Sequence, residues 1–331
     1  MRHSIVVPTY RRPDRLRELL RAVCALEYPR HDFEVIVVDD GNCERTAAAV
    51  AEEGAPVGAR YVACPQRGGP ARARNLGASL ASGEYLAFLD DDAVPFSDWL
   101  ARFDAAIATA TGQTVAFGGR TINAESNTLC GIASQNVVDF LYAWYNRDAS
   151  DAGFFATNNL LCGRVAFLFI GGFDESFRSA AAEDRDFCDR WREHGRRLVF
   201  VPDAVVRHHQ RSTFAAFFKQ HAVYGRGAVD LHLARDRRGV ERPHLEPARF
   251  YSSLLLFPVA SAHGWRLAVL LLLGPVTQLA YAWGFFTERW RRRHQRPDPL
   301  THPVLGPSPL GEGTPAERGD GSARDRRDAA P

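Results

Sequence analysis

The chemistry open to this chain shows first in its acids. Asp90-Asp91-Asp92 closes the apolar run Y-L-A-F-L, and Asp39-Asp40-Gly41 closes the run F-E-V-I-V-V. Apolar runs of about five residues that end in polar residues or glycine read as buried strands. Both acidic groups therefore belong at strand ends, as does Thr9 after S-I-V-V-P. Alternate strand residues point the same way, so Asp90 and Asp92 can share one face and offer two hard oxygens to a divalent cation. Magnesium or manganese held by one or two carboxylates completes its shell with water and substrate phosphates, which implies a phosphorylated donor. Helix capping asks for one Asp, Asn or Ser per helix, and three consecutive aspartates exceed that need. Between the acidic ends lies R-G-G-P-A-R-A-R-N-L-G-A, which has neither the G-K-[ST] ending of a phosphate loop nor a G-x-G-x-x-G fingerprint. Its glycines give a flexible approach to a helix that carries Arg74, a candidate ligand contact whose bland alternative is a solvated helix face.

The elements that must position these residues follow from the alternation of strand-like runs with amphipathic stretches at about Pro13–Leu26, Glu44–Glu53 and Ala71–Ala81. That pattern predicts an α/β fold, a three-layer α/β/α sheet with right-handed crossovers. In such sheets ligands bind outside the carboxyl ends of the strands, so Thr9, Asp39, Asp40 and Asp90 to Asp92 should converge on one crevice. From about Thr114 to Phe169 the pattern is less regular and holds an aromatic group, Phe140, Tyr142, Trp144 and Tyr145, which suits the acceptor half of a site or a lid. A strand candidate R-L-V-F-V-P leads to A-V-V-R-H-H, and the catalytic domain is expected to end near residue 238.

Composition bounds the function. The 331 residues are 46% hydrophobic and 24% charged, as in a folded globular chain. The net charge of +2 gives no global field for a nucleic-acid partner. Lys219 is the single lysine among 41 basic residues, a compositional bias that weakens any one arginine as a phosphate signal. The six cysteines form no C-x-x-C pair, against a zinc knuckle. Leu267 to Phe286 carries no charge over 20 residues, about 30 Å as a helix, and with the patch Ser252–Ala262 it defines a membrane-associated segment over 249–290. A buried helix of the soluble domain is the alternative. The basic flank E-R-W-R-R-R-H-Q-R places its C-terminal end in the cytoplasm. Because the catalytic domain should face the cytoplasm too, a re-entrant hairpin bent at Gly274-Pro275, or an interfacial helix pair, is expected in place of one straight span. Residues 297–331 hold seven prolines, five glycines and no aromatic residue, and are expected to be a disordered tail.

The series V-V-P-T-Y-R-R, V-I-V-V-D-D-G, P-A-R-A-R-N-L-G-A, Y-L-A-F-L-D-D-D, G-G-F-D-E and E-D-R-D-F, from about Ser4 to His209, resembles glycosyltransferase family 2 with its GT-A fold. The resemblance implies transfer of a sugar from a nucleotide diphosphate sugar, with Mn2+ or Mg2+ and inversion at the anomeric carbon. Carried over by position, Pro8 and Thr9 would line the nucleotide pocket, Asp39 or Asp40 would meet the base, and Arg74 would sit near base or diphosphate. Asp90 would contact ribose and metal, Asp91 would complete the nucleotide-sugar-binding strand end, and Asp92 would ligate the metal directly. Asp184 resembles the family's general base, with Glu183 orienting the acceptor, and His208, preferred over His209, resembles a further metal ligand. D-A-G-F-F-A-T-N-N-L-L-C-G resembles the acceptor-side loop, with Asn158 and Asn159 as hydroxyl contacts. Arg190-Trp191 resembles only the end of the processive Q-x-x-R-W motif, so Trp191 is a weaker acceptor candidate and addition of one sugar is expected. The acceptor implied is lipid-linked or a cell-envelope glycan, at the cytoplasmic membrane face. Two rivals are a sugar nucleotidyltransferase, whose glycine-rich signature is absent after strand one, and a catalytically inactive nucleotide-sugar-binding partner protein.

Overall fold

Four strands, β1 (His3–Thr9), β2 (Phe33–Asp39), β3 (Arg60–Ala63) and β4 (Tyr85–Phe88), form the parallel half of one sheet in a computed structural model that describes residues 1–110, 115–124, 128–177, 179–209, 213–240 and 246–294. Helices α1 (Pro13–Cys24), α2 (Glu44–Glu53) and α3 (Pro70–Leu80) connect them. The chain continues through β5 (Ala93–Pro95), α4 (Trp99–Thr109), β6 (Val115–Asn123), α5 (Leu129–Tyr145), β7 (Leu160–Gly163), α6 (Arg164–Phe169), α7 (Glu183–Glu193) and β8 (Arg197–His208). Among the described residues the sheet has eight strands in the order β3-β2-β1-β4-β7-β6-β8-β5, with β7 antiparallel to both of its neighbours.

Strand residues alternate between two cores. Ile5, Val7, Val35 and Val37 pack with Leu16, Leu20, Val50 and Phe103, while Val6, Ile36 and Val38 pack with Ala73, Phe187 and Trp191 on the other face. Helices thus cover both faces, which is why the strands are apolar throughout and why the three-layer expectation holds. The strand order reverses between β1 and β4, so the crevice at their carboxyl ends is the topological switch point where α/β sheets bind ligands.

The stretch expected to be irregular, Thr114 to Phe169, contains β6, the 17-residue α5, β7 and α6. Its aromatic residues have packing duties. Phe140 meets Phe250 and Phe257 at ring distances of 5.1 and 5.6 Å, and Trp144 meets Phe250 at 5.2 Å. Those partners lie on α9 (Ala248–Ser261), which follows the 24-residue α8 (Phe214–Arg237) and precedes the 31-residue α10 (Gly264–His294).

Helix α10 runs through Pro275 as one element, without a break at the expected bend. It is long and apolar enough to cross a membrane, yet only 22% of its apolar window is buried, unlike a core helix. Leu270, Thr277, Ala280, Gly284 and Glu288 are buried on one face; Trp265, Leu272, Leu279, Trp283, Phe286 and Trp290 form an exposed stripe on the other. The inner face meets α8 backbone to backbone. A β-carbon on Gly225 would lie 1.9 Å from the Tyr281 carbonyl oxygen, and one on Gly284 would lie 1.9 Å from that of Ala222. The tail expected over 297–331 lies outside the described residues.

Candidate active site

Parallel register sets the geometry of the cleft. Thr9 pairs with Asp39 across β1 and β2, and the Thr9 hydroxyl donates to Asp91 Oδ2 at 2.8 Å, joining the ends of β1 and β4. Arg12, on the turn between β1 and α1, reaches Asp91 Oδ1 at 2.5 Å and forms a second ion pair with Asp92. His208, the last residue of β8, places Nε2 3.1 Å from Asp92 Oδ1. Its neighbour His209 turns away to Glu18 at 2.9 Å, which separates the two candidates.

The ligand atoms of Asp90, Asp92 and His208 lie within 4.8 Å of one another. Two carboxylate oxygens and an imidazole nitrogen form a chemically suitable set for a divalent cation. The local fields are strong. Burial opposes the charge of Asp92, but His208 and Arg12 overcome it and hold this carboxyl well below the usual range. Burial likewise opposes a charged His208, and Asp92 reverses the balance so that the imidazole is raised above its ordinary value. Asp91 is the converse case, since burial pushes it up to about 7 against Arg12.

A second cationic link spans the cleft. Arg74, 2% exposed, donates from NH1 to Glu183 Oε1 at 2.9 Å and from NH2 to Asp90 Oδ1 at 2.6 Å. It therefore fixes the distance between the acid cluster after β4 and the first turn of α7. Asp184, half-buried beside Glu183, accepts from the Arg185 amide at 2.8 Å. Burial and the adjacent Glu183 charge raise its carboxyl to about 7, the range suited to a base working near neutrality. The residue before this pair, Ala182, has φ of 72°, left-handed backbone that costs a non-glycine residue on the order of 1 kcal/mol or more. Replacing Arg74 with methionine strands the buried Glu183 carboxylate and the half-buried Asp90 carboxylate, and is expected to destabilise the protein by about 3–5 kcal/mol. Urea unfolding monitored by tryptophan fluorescence checks this; a midpoint equal to wild type would show that the bridge holds nothing together.

Other expected contacts have internal occupations. Asp39 accepts from the amides of Gly41 and Cys43 at 2.8 and 2.7 Å, and Asp40 from those of Gly68 and Gly69 at 2.8 and 2.9 Å. These two acids shape the loops that follow β2 and β3, and Pro8 is buried within β1. The three acceptor candidates make internal contacts as well. Asn159 is fully buried, accepting from Trp99 Nε1 at 2.9 Å and donating to the carbonyls of Arg120 and Ala204 at 3.1 and 2.9 Å. Asn158 is buried and accepts from Thr121 at 3.1 Å, while Trp191, also fully buried, donates to the Arg197 carbonyl at 3.0 Å. The indole N–H of Trp191 and the amide of Asn159 are thus committed inside the fold.

Arg12 was not among the sequence candidates. Its signal was adjacency to the end of β1, hidden in a chain whose cations are nearly all arginine.

An Asp-Asp-His cluster at the carboxyl ends of the sheet thus faces the acidic start of α7. The chain belongs to glycosyltransferase family 2, whose model matches residues 4–173. It is 29% identical over 236 residues to the pre-mycofactocin glycosyltransferase of Mycobacterium tuberculosis, covering 69% of this chain and 47% of that protein. The chain thus spans about half the length of that relative. It is 27% identical over 241 residues to glycosyltransferase AglE of Haloferax volcanii, covering 72% and 76% of the two chains. The fold is that of the mannosyltransferase PcManGT of Pyrobaculum calidifontis, solved with GDP-Man and Mn2+, with a TM-score of 0.61, 20% identity and 88% of each chain covered.

Proposed function

We propose that this protein is an inverting, metal-dependent glycosyltransferase that moves one sugar from a nucleotide diphosphate sugar to a hydroxyl of a lipid-linked or cell-envelope acceptor, with Asp184 as general base. The observation that carries the reading is the Arg74 bridge, which sets Glu183-Asp184 opposite the Asp90, Asp92 and His208 cluster. Inversion needs one base on the face opposite the leaving group. Asp184 takes the proton of the attacking hydroxyl, and Arg74 holds that carboxylate's helix at a fixed span from the diphosphate end. Arg12 keeps positive charge beside the same acids, where negative charge grows on the leaving diphosphate. A divalent cation held by Asp90, Asp92 and His208 would supply further stabilisation of that charge.

The division proposed is a catalytic domain over 1–238 and a membrane-associated segment over 249–290. The inner face of α10 is committed to α8, which favours a helix pair lying in the interface of the cytoplasmic leaflet, its tryptophan-bearing stripe in the acyl boundary. The protein is expected to float with phosphatidylglycerol vesicles at high salt. Changing Leu272, Leu279 and Phe286 together to aspartate should reduce binding at least about 100-fold, since each buried apolar side chain contributes roughly 1.5–3 kcal/mol. Flotation unchanged by the triple variant would sink the interfacial placement.

Incubation with radiolabelled nucleotide sugars, Mn2+ and a membrane lipid extract tests the activity itself. Free nucleoside diphosphate together with labelled lipid is the expected result. Pyrophosphate release would point to a nucleotidyltransferase, and no turnover across the panel would leave a binding protein.

A further inference from the structure

Arg185, the residue after the proposed base, is a cation without an ion pair. Its amide donates to Asp184 Oδ1 at 2.8 Å, while its guanidinium sits in the corner of two rings, Tyr145 and Phe154, with Cζ 4.6 and 4.9 Å from their centroids. The ring planes meet at 73° with centroids 6.2 Å apart, so the corner holds the cation on two sides and leaves the others open. Nη1 donates to the Tyr145 hydroxyl at 3.2 Å, and that hydroxyl donates in turn to Glu246 Oε1 at 2.6 Å. Among the described residues no carboxylate pairs directly with Arg185, whereas Arg12 and Arg74, the other two arginines of the site, each grip two acids. Arg185 is partly exposed, and its N–H groups that have no partner among the described residues are not buried.

A guanidinium fixed against aromatic rings with N–H groups to spare is suited to a phosphate, whose oxygens accept two parallel charge-assisted hydrogen bonds from the fork. Position decides which phosphate. The donor diphosphate is placed at Asp90, Asp92 and His208, on the far side of the Arg74 bridge from the helix turn that carries Arg185. The ring corner instead adjoins the proposed membrane segment. Glu246 lies just before α9, and Phe250 of α9 stands 6.3 Å from the Tyr145 ring and 5.2 Å from that of Trp144. We infer that Arg185 is an acceptor-binding residue that holds the phosphate through which the acceptor is joined to its lipid. This rests on the function proposed above and narrows its acceptor to a lipid phosphate or diphosphate ester. An acceptor entering from the side of α9 meets Arg185 with its phosphate and offers its hydroxyl to Asp184, the adjacent residue.

The test fills the donor end first. Full-length wild type, Arg185→Met and Arg185→Lys, each saturated with Mn2+, UDP and GDP, are titrated with farnesyl diphosphate, farnesol and inorganic pyrophosphate. Wild type is expected to bind farnesyl diphosphate more tightly than either farnesol or pyrophosphate. Arg185→Met should bind it about ten- to a hundredfold more weakly, the span of hydrogen bonds to a charged group, with nucleotide affinity and melting temperature unchanged. Arg185→Lys keeps the charge but loses the fork, and should lose about three- to tenfold, so the test does not depend on the methionine variant folding. Farnesyl diphosphate affinity unchanged in both variants, an equal loss of nucleotide affinity, pyrophosphate bound as tightly as the prenyl ester, or no binding of farnesyl diphosphate by wild type would each overturn the inference while leaving the transferase reading standing. Failure of wild type to bind any nucleotide diphosphate or its sugar conjugate would overturn that reading and this inference with it.

Discussion

Asp184→Asn is expected to bind nucleotide sugar and Mn2+ as wild type does and to turn over about 10²–10⁴-fold more slowly, the span a positioned general base contributes. Asparagine keeps the size and the hydrogen bond from the Arg185 amide but cannot accept a proton from an attacking hydroxyl. The wild-type rate should itself report the group. A base with its carboxyl raised to about 7 is mostly protonated below that pH, so turnover climbs as pH rises and levels off above about 7. The same burial has a cost in stability whose sign runs the other way. The unfolded chain ionises Asp184 near its ordinary value, the folded chain only near 7, so stability is lost as pH rises through that interval. Asp184→Asn escapes this penalty and should be more stable than wild type at pH 8, on the order of 1 kcal/mol, with little difference near pH 4. Rate and melting profiles of the two proteins across pH 5–9 check both halves. Full turnover by the asparagine variant would assign the base elsewhere.

Asp92→Ala strikes the opposite end of the cleft. It removes the carboxylate that both His208 and Arg12 grip and leaves two cationic groups facing one another. Donor binding should lose its dependence on Mn2+, and turnover should fall by about 10³-fold or more, corresponding to the several kcal/mol a bound cation supplies. Chelation of wild type should bring its activity down to the level of the variant, whereas the variant should be indifferent to chelator. Isothermal titration with Mn2+ and turnover assays with and without EDTA check this. Wild-type activity undiminished by chelation would mean that Arg12 and Arg74 alone manage the diphosphate charge.

The legible parts of the sequence were those where one physical requirement chose the residue type. Strands covered on both faces must be apolar along their length, so their polar ends marked the switch point and brought Thr9, Asp90 and Asp92 to one crevice. His208 was preferred over His209 by resemblance only, since adjacent residues at a strand end point to opposite sides and sequence does not say which side is the cleft; the structure separates them. Asn159 and Trp191 have framework contacts that sequence did not foretell, because polar atoms serve a buried framework as readily as a ligand. Asn159 ties β6, β8 and α4 together, a task that looks identical to hydroxyl binding in one dimension. Helix α5 was missed because it is wedged between the sheet and α9 and its apolar residues follow no single stripe.

The glycines of α8 give the anchor a different character from a tether. Gly225 and Gly284 let two backbones touch, and Gly227 lets the same helix touch the segment that enters the catalytic turn. One rod, α8, thus has the proposed anchor helix α10 on one side and the segment leading to the acidic pair on the other. Anchor and catalytic centre are not interchangeable modules, and trimming the C-terminal helix to obtain a soluble enzyme would remove the outer support of the wall that holds Ala181, Ala182 and the acidic pair in register. With α10 in its proposed interfacial placement, the lipid surface is part of the frame against which the cleft is built.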